Sequence, residues 1–202
     1  MIYSVLDFET TGFGPSDSRV LEVGIMLIAG DGEIIDTYDT LINPQQSAGA
    51  TWIHGISDEM VEDAPLFEEV ADDILQFLDG SVIAAHNANF DILFLREELK
   101  RADKPYANIP SICTLRLSRK YIKGCGSYSF SALCSFLHIT NFHAHSALAD
   151  ADATAQLLLH LIQRYEIEYS IEPERLFSNN YQDRKARASH RTYSRHDYFN
   201  YE

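Results

Sequence analysis

Cysteine is scarce in this chain. There are three, Cys113, Cys125 and Cys134, and their spacing matches no metal-binding pattern. A small odd number of thiols argues against a disulfide-stapled secreted scaffold and fits reduced thiols in the cytoplasm. Long apolar runs are missing too. None approaches the ~20 residues a membrane helix needs, so no membrane-spanning segment is expected. Met1 leads straight into the first apolar run, which predicts no cleaved leader. Positive charge is also in short supply. Sixteen Lys and Arg face 30 Asp and Glu, for a formal net charge of −14. That balance argues against phosphate binding through a broad basic surface. The shortage is uneven: residues 175–202 carry Arg175, Arg184, Lys185, Arg187, Arg191 and Arg195 against only Asp183, Asp197 and Glu202. The acidic excess therefore lies entirely in the body. An acidic body can still receive phosphate where bound cations neutralise an acid cluster.

What is present is a regular apolar pattern. Apolar residues are 46% of 202, enough for one sizeable domain and short for two. Ile2 to Leu6 is a short apolar run before a Thr-Thr-Gly break and predicts a buried strand. Arg19 to Ile28 predicts a second strand, Gly30-Asp31-Gly32 a tight hairpin, and Glu33 to Ile42 a third strand. Residues 45–56 read as a loop. Ser57 suits the N-cap of a short helix to about Glu62. Pro65 starts another helix to about Leu78, with Phe67, Val70, Ile74, Phe77 and Leu78 at helical spacing. Ser81 to Ala85 predicts a strand, most simply parallel to the first because a helix leads to it. Helices are expected over Asn89 to Arg101, Ser129 to Leu137 and Ala147 to Tyr165, with a fifth strand over Ser111 to Leu117. The expected fold is α/β: a mixed five-stranded sheet, an antiparallel meander plus parallel strands, with flanking helices. The domain is expected over residues 1–171. From 172 to 202 the pattern dissolves into a polar, basic, Tyr- and Arg-rich tail, either disordered or a docking arm.

Three polar clusters interrupt this pattern. The first is Asp7-Phe8-Glu9-Thr10-Thr11-Gly12, at the end of the first strand. Side chains alternate along a strand, so Asp7 and Glu9 should point the same way. Two adjacent carboxylates repel each other and are costly to desolvate, and a hard divalent cation relieves both penalties. The alternative is a frayed strand end with both acids solvated. The second cluster, His86-Asn87-Ala88-Asn89-Phe90-Asp91, lies where the fourth strand runs into a helix, a common ligand site in open sheets. Asn87 or Asn89 can cap that helix. Asp91 is either a site residue or simply an acid favoured by the helix dipole. The third cluster runs from His143 to Asp152, with Ser146 the natural N-cap of the last helix and His145 just outside it. At 100° per residue Asp150 shares the buried stripe with Thr154, Leu157 and Leu161, while Asp152 shares the solvent side with Gln156 and Gln163. An acid on an apolar face needs a partner, which makes Asp150 the functional candidate. His86, His138, His143 and His160 have ordinary structural readings.

In order and spacing the three clusters resemble the three motifs of the DEDDh, or DnaQ-like, 3′→5′ exonucleases, among them the epsilon proofreading subunit of bacterial DNA polymerase III. Asp-Phe-Glu-Thr-Thr-Gly matches the first motif and His-Asn-Ala-Asn-Phe-Asp the second. His145 with Asp150 five residues later matches the third, in its histidine form. The family's Ile-His-Gly-Ile segment is present as Ile53 to Ile56. One position departs from the pattern. Some proofreading relatives carry a glutamate five residues before the histidine of that segment, where this chain has Gly49.

The resemblance implies a ribonuclease H-like fold over roughly residues 1–165. It implies that Asp7, Glu9, Asp91 and Asp150 hold two divalent ions, Mg²⁺ or Mn²⁺, and that His145 is the general base. Thr10, Thr11, Gly12, Ile53, His54, Asn87 and Phe90 would meet the terminal nucleotides, with core packing the alternative for Ile53, His54 and Phe90. The expected reaction is stepwise hydrolysis from the 3′ end of single-stranded or frayed DNA, in proofreading beside a polymerase or in repair. RNA trimming, and a non-catalytic binding module, are the alternatives. Trp52 can be core or rim.

Overall fold

The computed structural model describes residues 1–105, 110–141 and 145–169. The expected tail and His143 lie outside them. Strands β1 (Ile2–Thr10), β2 (Val20–Ala29) and β3 (Ile34–Leu41) form the antiparallel meander. β4 (Val82–Ala85) and β5 (Ser111–Cys113) add in parallel on the other side of β1, giving the order β3-β2-β1-β4-β5. The helices are α1 (Thr51–His54), α2 (Asp58–Val61), α3 (Phe67–Leu78), α4 (Asn89–Arg101), α5 (Thr114–Tyr121), α6 (Phe130–Leu137) and α7 (Ala147–Tyr169). This is the expected mixed five-stranded architecture.

Alternation along β1 divides the core in two. Leu6 and Phe8 pack with Ile74 and Leu78 of α3 and with Phe94 and Leu99 of α4. Tyr3 and Val5 pack on the opposite face with Ala151, Ala155, Leu158 and Ile162 of α7. The small residues at 151 and 155 let α7 lie close across β1 and β2. Among the described residues, no helix is long and apolar enough to cross a membrane.

Several stretches differ from expectation, α7 among them, which runs on to Tyr169. The fifth strand stops at Cys113, and Thr114 to Tyr121 is helical instead. Its buried residues, Thr114, Ser118 and Tyr121, recur at helical spacing. Two of the three are polar, so the apolar pattern alone hid the period. The Thr114 hydroxyl donates to the Ala85 carbonyl at 3.3 Å, which fastens the strand-to-helix corner. Another is the loop over 45–56, which contains the short helix α1. The Pro65 helix begins two residues later than expected, where the Glu69 carboxylate accepts the Leu66 amide at 2.7 Å.

Candidate active site

Asp7 and Glu9 lie on the α7 face of β1, in line with Tyr3 and Val5. Across β2 their partners are Gly24 and Glu22. The β1–β2 register shifts immediately after Glu9, a bulge of the kind that often ends pairing beside a site. Pairing of β1 with β4 ends at Val5. That opens the far edge of β1 to Asp91, whose carboxylate accepts the Phe8 amide and its own amide. Among side chains, Asp91 thus satisfies the start of α4 and neither Asn87 nor Asn89 does so; the Asn87 carbonyl accepts the Phe90 amide at 2.9 Å. The N-cap residue is Ala88, with no side-chain cap. Asn87 instead adopts a left-handed conformation, φ 64°, exposed at the turn, which asparagine tolerates better than most residues.

The start of α7 supplies the third group. Asp150 sits in its first turn. One carboxylate oxygen accepts from Asn141 Nδ2 and the other from the His145 amide at 3.3 Å. His145 is exposed and left-handed at φ 72°, an unusual backbone state for a non-glycine residue that is often found at functional sites. Asp152 points away and accepts from exposed Gln156 at 3.1 Å. Ligand atoms of Glu9, His145 and Asp150 all lie within 4.8 Å of one another.

The electrostatics are those of acids crowded together and partly buried. Burial raises the Asp7 carboxyl well above its usual range, and Asp91, Asp150, Glu9 and Glu22 raise it further. Burial, with Asp150 and Glu22 close by, pushes Glu9 to about 8. Burial also raises Asp91 well above its usual range, against the two backbone amides that favour its charge. Like charges held this close want either protons or cations. Crowded carboxylate oxygens suit a hard divalent ion, so Asp7, Glu9, Asp91 and Asp150 fit such an ion.

The flanking residues are placed less uniformly. The Thr10 hydroxyl donates to Gly12 O at 2.8 Å. The Thr11 hydroxyl accepts from the Arg19 amide at 3.0 Å and from Gln46 at 2.8 Å. Both hydroxyls therefore shape the loop itself. A Cβ at Gly49 would come within 2.5 Å of the Thr11 carbonyl, and its φ is +77°. A glutamate cannot stand there without moving that loop. On α1, Trp52 is 85% exposed and Ile53 43% exposed, while His54 is buried. Trp52 is thus rim. His54 Nδ1 accepts the Ile56 amide at 3.1 Å, and burial lowers its pKa, with His145 adding a smaller push in the same direction. Phe90 is half-buried with its ring 4.8 Å from that of Phe94. His86 packs on Phe130 and bonds Thr114 Oγ1 at 3.0 Å. Burial lowers its pKa to about 4.

Three residues of the site escape the motif reading. Glu22 is 9% exposed and accepts the Ala147 amide at 3.1 Å. Gly24 lies under the first turn of α7, where a Cβ would be 2.2 Å from Leu148 N. Asn141 holds Asp150. A signal existed for two of them: an acid and a glycine inside an otherwise apolar strand mark a buried partner and a close backbone approach.

A mixed sheet that gathers acids at the carboxyl end of its central strand, beside an exposed histidine, defines the ribonuclease H-like nuclease class. Within that class the chain belongs to the exonuclease family, whose sequence profile (RNase_T) matches residues 4–158. It is 41% identical over 163 residues to DNA polymerase III PolC-type of Thermotoga petrophila, covering 80% of this chain and 12% of that one. It is 32% identical over 165 residues to the 3′-5′ exonuclease DinG of Bacillus subtilis, covering 80% of this chain and 18% of DinG. The chain thus spans less than a fifth of either relative. Exonuclease X, solved in complex with 5′-overhanging duplex DNA, superposes with a TM-score of 0.66 at 27% identity, over 87% of this chain and 97% of that one. Enzymes of the family use divalent metal ions.

Proposed function

We propose that this domain removes nucleotides one at a time from the 3′ end of single-stranded or frayed DNA and releases 5′-mononucleotides. The observation that carries the reading is the meeting of Glu9, His145 and Asp150 within 4.8 Å, beside two further acids whose charge is disfavoured. Asp7, Glu9, Asp91 and Asp150 would hold two divalent cations, Mg²⁺ or Mn²⁺. When bound, such ions relieve charge at phosphorus, lower the pKa of a water and stabilise the leaving oxygen. His145 takes a proton from the attacking water on one ring nitrogen. Its exposure and its place beside Glu9 and Asp150 leave that ring free to face solvent and a strand end. Asp150 holds the His145 backbone in its left-handed state through the amide.

Exposed Trp52 and Ile53 offer flat and apolar surface for unstacked bases, a sequence-tolerant way to hold a single strand. His54 acts from beneath them, and Phe90 closes the apolar side. Thr10, Thr11 and Gly12 set the shape of the loop that meets the terminal nucleotide, and Asn87 presents its exposed turn to it. The names of the relatives, a polymerase III and a 3′-5′ exonuclease, support work in proofreading or repair, with a DNA polymerase as the partner in the first case. The proposed setting is the cytoplasm, where that substrate lies. The domain ends near residue 171, and residues 172–202 serve as a basic arm.

A 5′-labelled oligonucleotide tests this reading. With Mg²⁺ or Mn²⁺, single-stranded DNA should shorten as a one-nucleotide ladder, and Asp7→Ala should leave it intact. Internal fragments, no cleavage, or faster loss of an RNA strand of the same sequence would each count against it.

A further inference from the structure

Glu22 is an acid in the middle of β2 and matches none of the three motifs. Its side chain lies on the same face of the sheet as Glu9, its direct cross-strand partner. A third carboxylate beside Glu9 and Asp150 adds repulsion to a cluster already crowded with negative charge. Burial without compensation would be costly, so the residue must gain something there. What it gains is the start of α7. Oε2 accepts the Ala147 amide at 3.1 Å, and the Ser146 hydroxyl also bonds the carboxylate. The first amides of a helix have no partner within the helix. Here one of them is satisfied from a neighbouring strand rather than by a local cap. Two residues along β2, Gly24 removes the side chain that would otherwise collide with Ala147 and Leu148.

Ser146 and Ala147 lie between His145 and Asp150, the two groups that α7 brings to the site. We propose that Glu22 is a positioning residue: by clamping Ser146 and Ala147 onto β2 it sets where His145 and Asp150 stand relative to Glu9. It acts through hydrogen bonds and touches neither cation nor strand. This inference rests on the catalytic reading given above. The hydrogen bonds need an acceptor at Oε2 but not a negative charge. Glutamine keeps the acceptor. Aspartate keeps the charge but is one methylene too short to reach Ala147.

The test compares Glu22→Ala, Glu22→Gln and Glu22→Asp in the full chain. Two readouts are taken, amide exchange at Ala147 without metal and single-strand hydrolysis with Mn²⁺. In E22A and E22D the Ala147 amide should exchange at least ~10-fold faster, with Leu157 and Leu158 unchanged. Their kcat should fall about 10–100-fold, as for residues that orient ligands from behind, at nearly constant KM. E22Q should stay within about 3-fold of the native chain in both. Native exchange at Ala147 in E22A or E22D overturns the clamp, and so does an E22Q as impaired as E22D. If E22A does not fold, the contrast between E22Q and E22D decides alone. The exchange readout stands even if the native chain cleaves no DNA, so failure of the clamp and failure of the catalytic reading remain distinguishable.

Discussion

At the scale of single residues, the site is set by carboxylates crowded into partial burial. Glu9 titrates near 8 in the folded chain because burial and Asp150 disfavour its charge, against 4.5 for the free side chain. Between those values the folded state binds a proton that the unfolded state has lost, so stability without metal falls as pH rises through that window. Metal binding must displace protons from the same acids and therefore strengthens as pH rises. The thermal shift produced by Mn²⁺ should accordingly be larger at pH 8 than at pH 6; a shift independent of pH would contradict this account. Asp150→Asn should abolish most Mn²⁺ binding, while Asp152→Asn should leave both binding and turnover near native, because its contact is with exposed Gln156. His145→Ala should cut turnover about 10²–10⁴-fold and leave the cation affinity largely intact. A large drop in affinity would make the imidazole a ligand rather than a base.

At the scale of elements, the site depends on two seatings. α7 rests on β2 at Gly24, where a Cβ would fall 2.3 Å from the Ala147 carbonyl carbon. Gly24→Ala must lift the helix start and should cost about 1–3 kcal/mol in denaturant melts, as overpacked cores do. The second seating is that of the loop after β1. Buried Glu98 on α4 accepts from Arg19 at 2.8 Å and from Arg101 at 3.0 Å. Arg101 in turn holds the carbonyls of Pro15, Ser16 and Ser18. Glu98→Ala takes the carboxylate from two arginines and leaves them only backbone carbonyls. Because the arginines keep 20% and 29% exposure, the cost should be about 1–3 kcal/mol, below the roughly 3–5 kcal/mol typical of a broken pair in full burial. The meander and the long helices were legible from apolar period and turn chemistry. Helix α5 was not, because its buried face uses Thr114 and Ser118, residues that read as polar. The facing of Asp150 and Asp152 followed from helical angle alone. The roles of Glu22 and Asn141 did not, because each depends on a partner far along the fold or across a loop.

At the scale of the whole molecule, an acidic body is joined to a basic C-terminal stretch. If that stretch grips the strand, removing residues from 175 should flatten the dependence of DNA affinity on salt, by about 0.7 in the log–log slope for each phosphate it had neutralised. An unchanged slope assigns it another task. The acidic body has the opposite requirement, since it must be neutralised before a phosphodiester can approach. The central claim is therefore that carboxylates from β1, α4 and α7 converge to bind cations together. Titration of Mn²⁺ into the native chain and into Asp7→Ala, followed by the disappearance of the free-ion paramagnetic signal, tests it most directly. The account predicts saturable binding to the native chain and at least ~10-fold weaker binding after the substitution. Equal binding by the two proteins would contradict it.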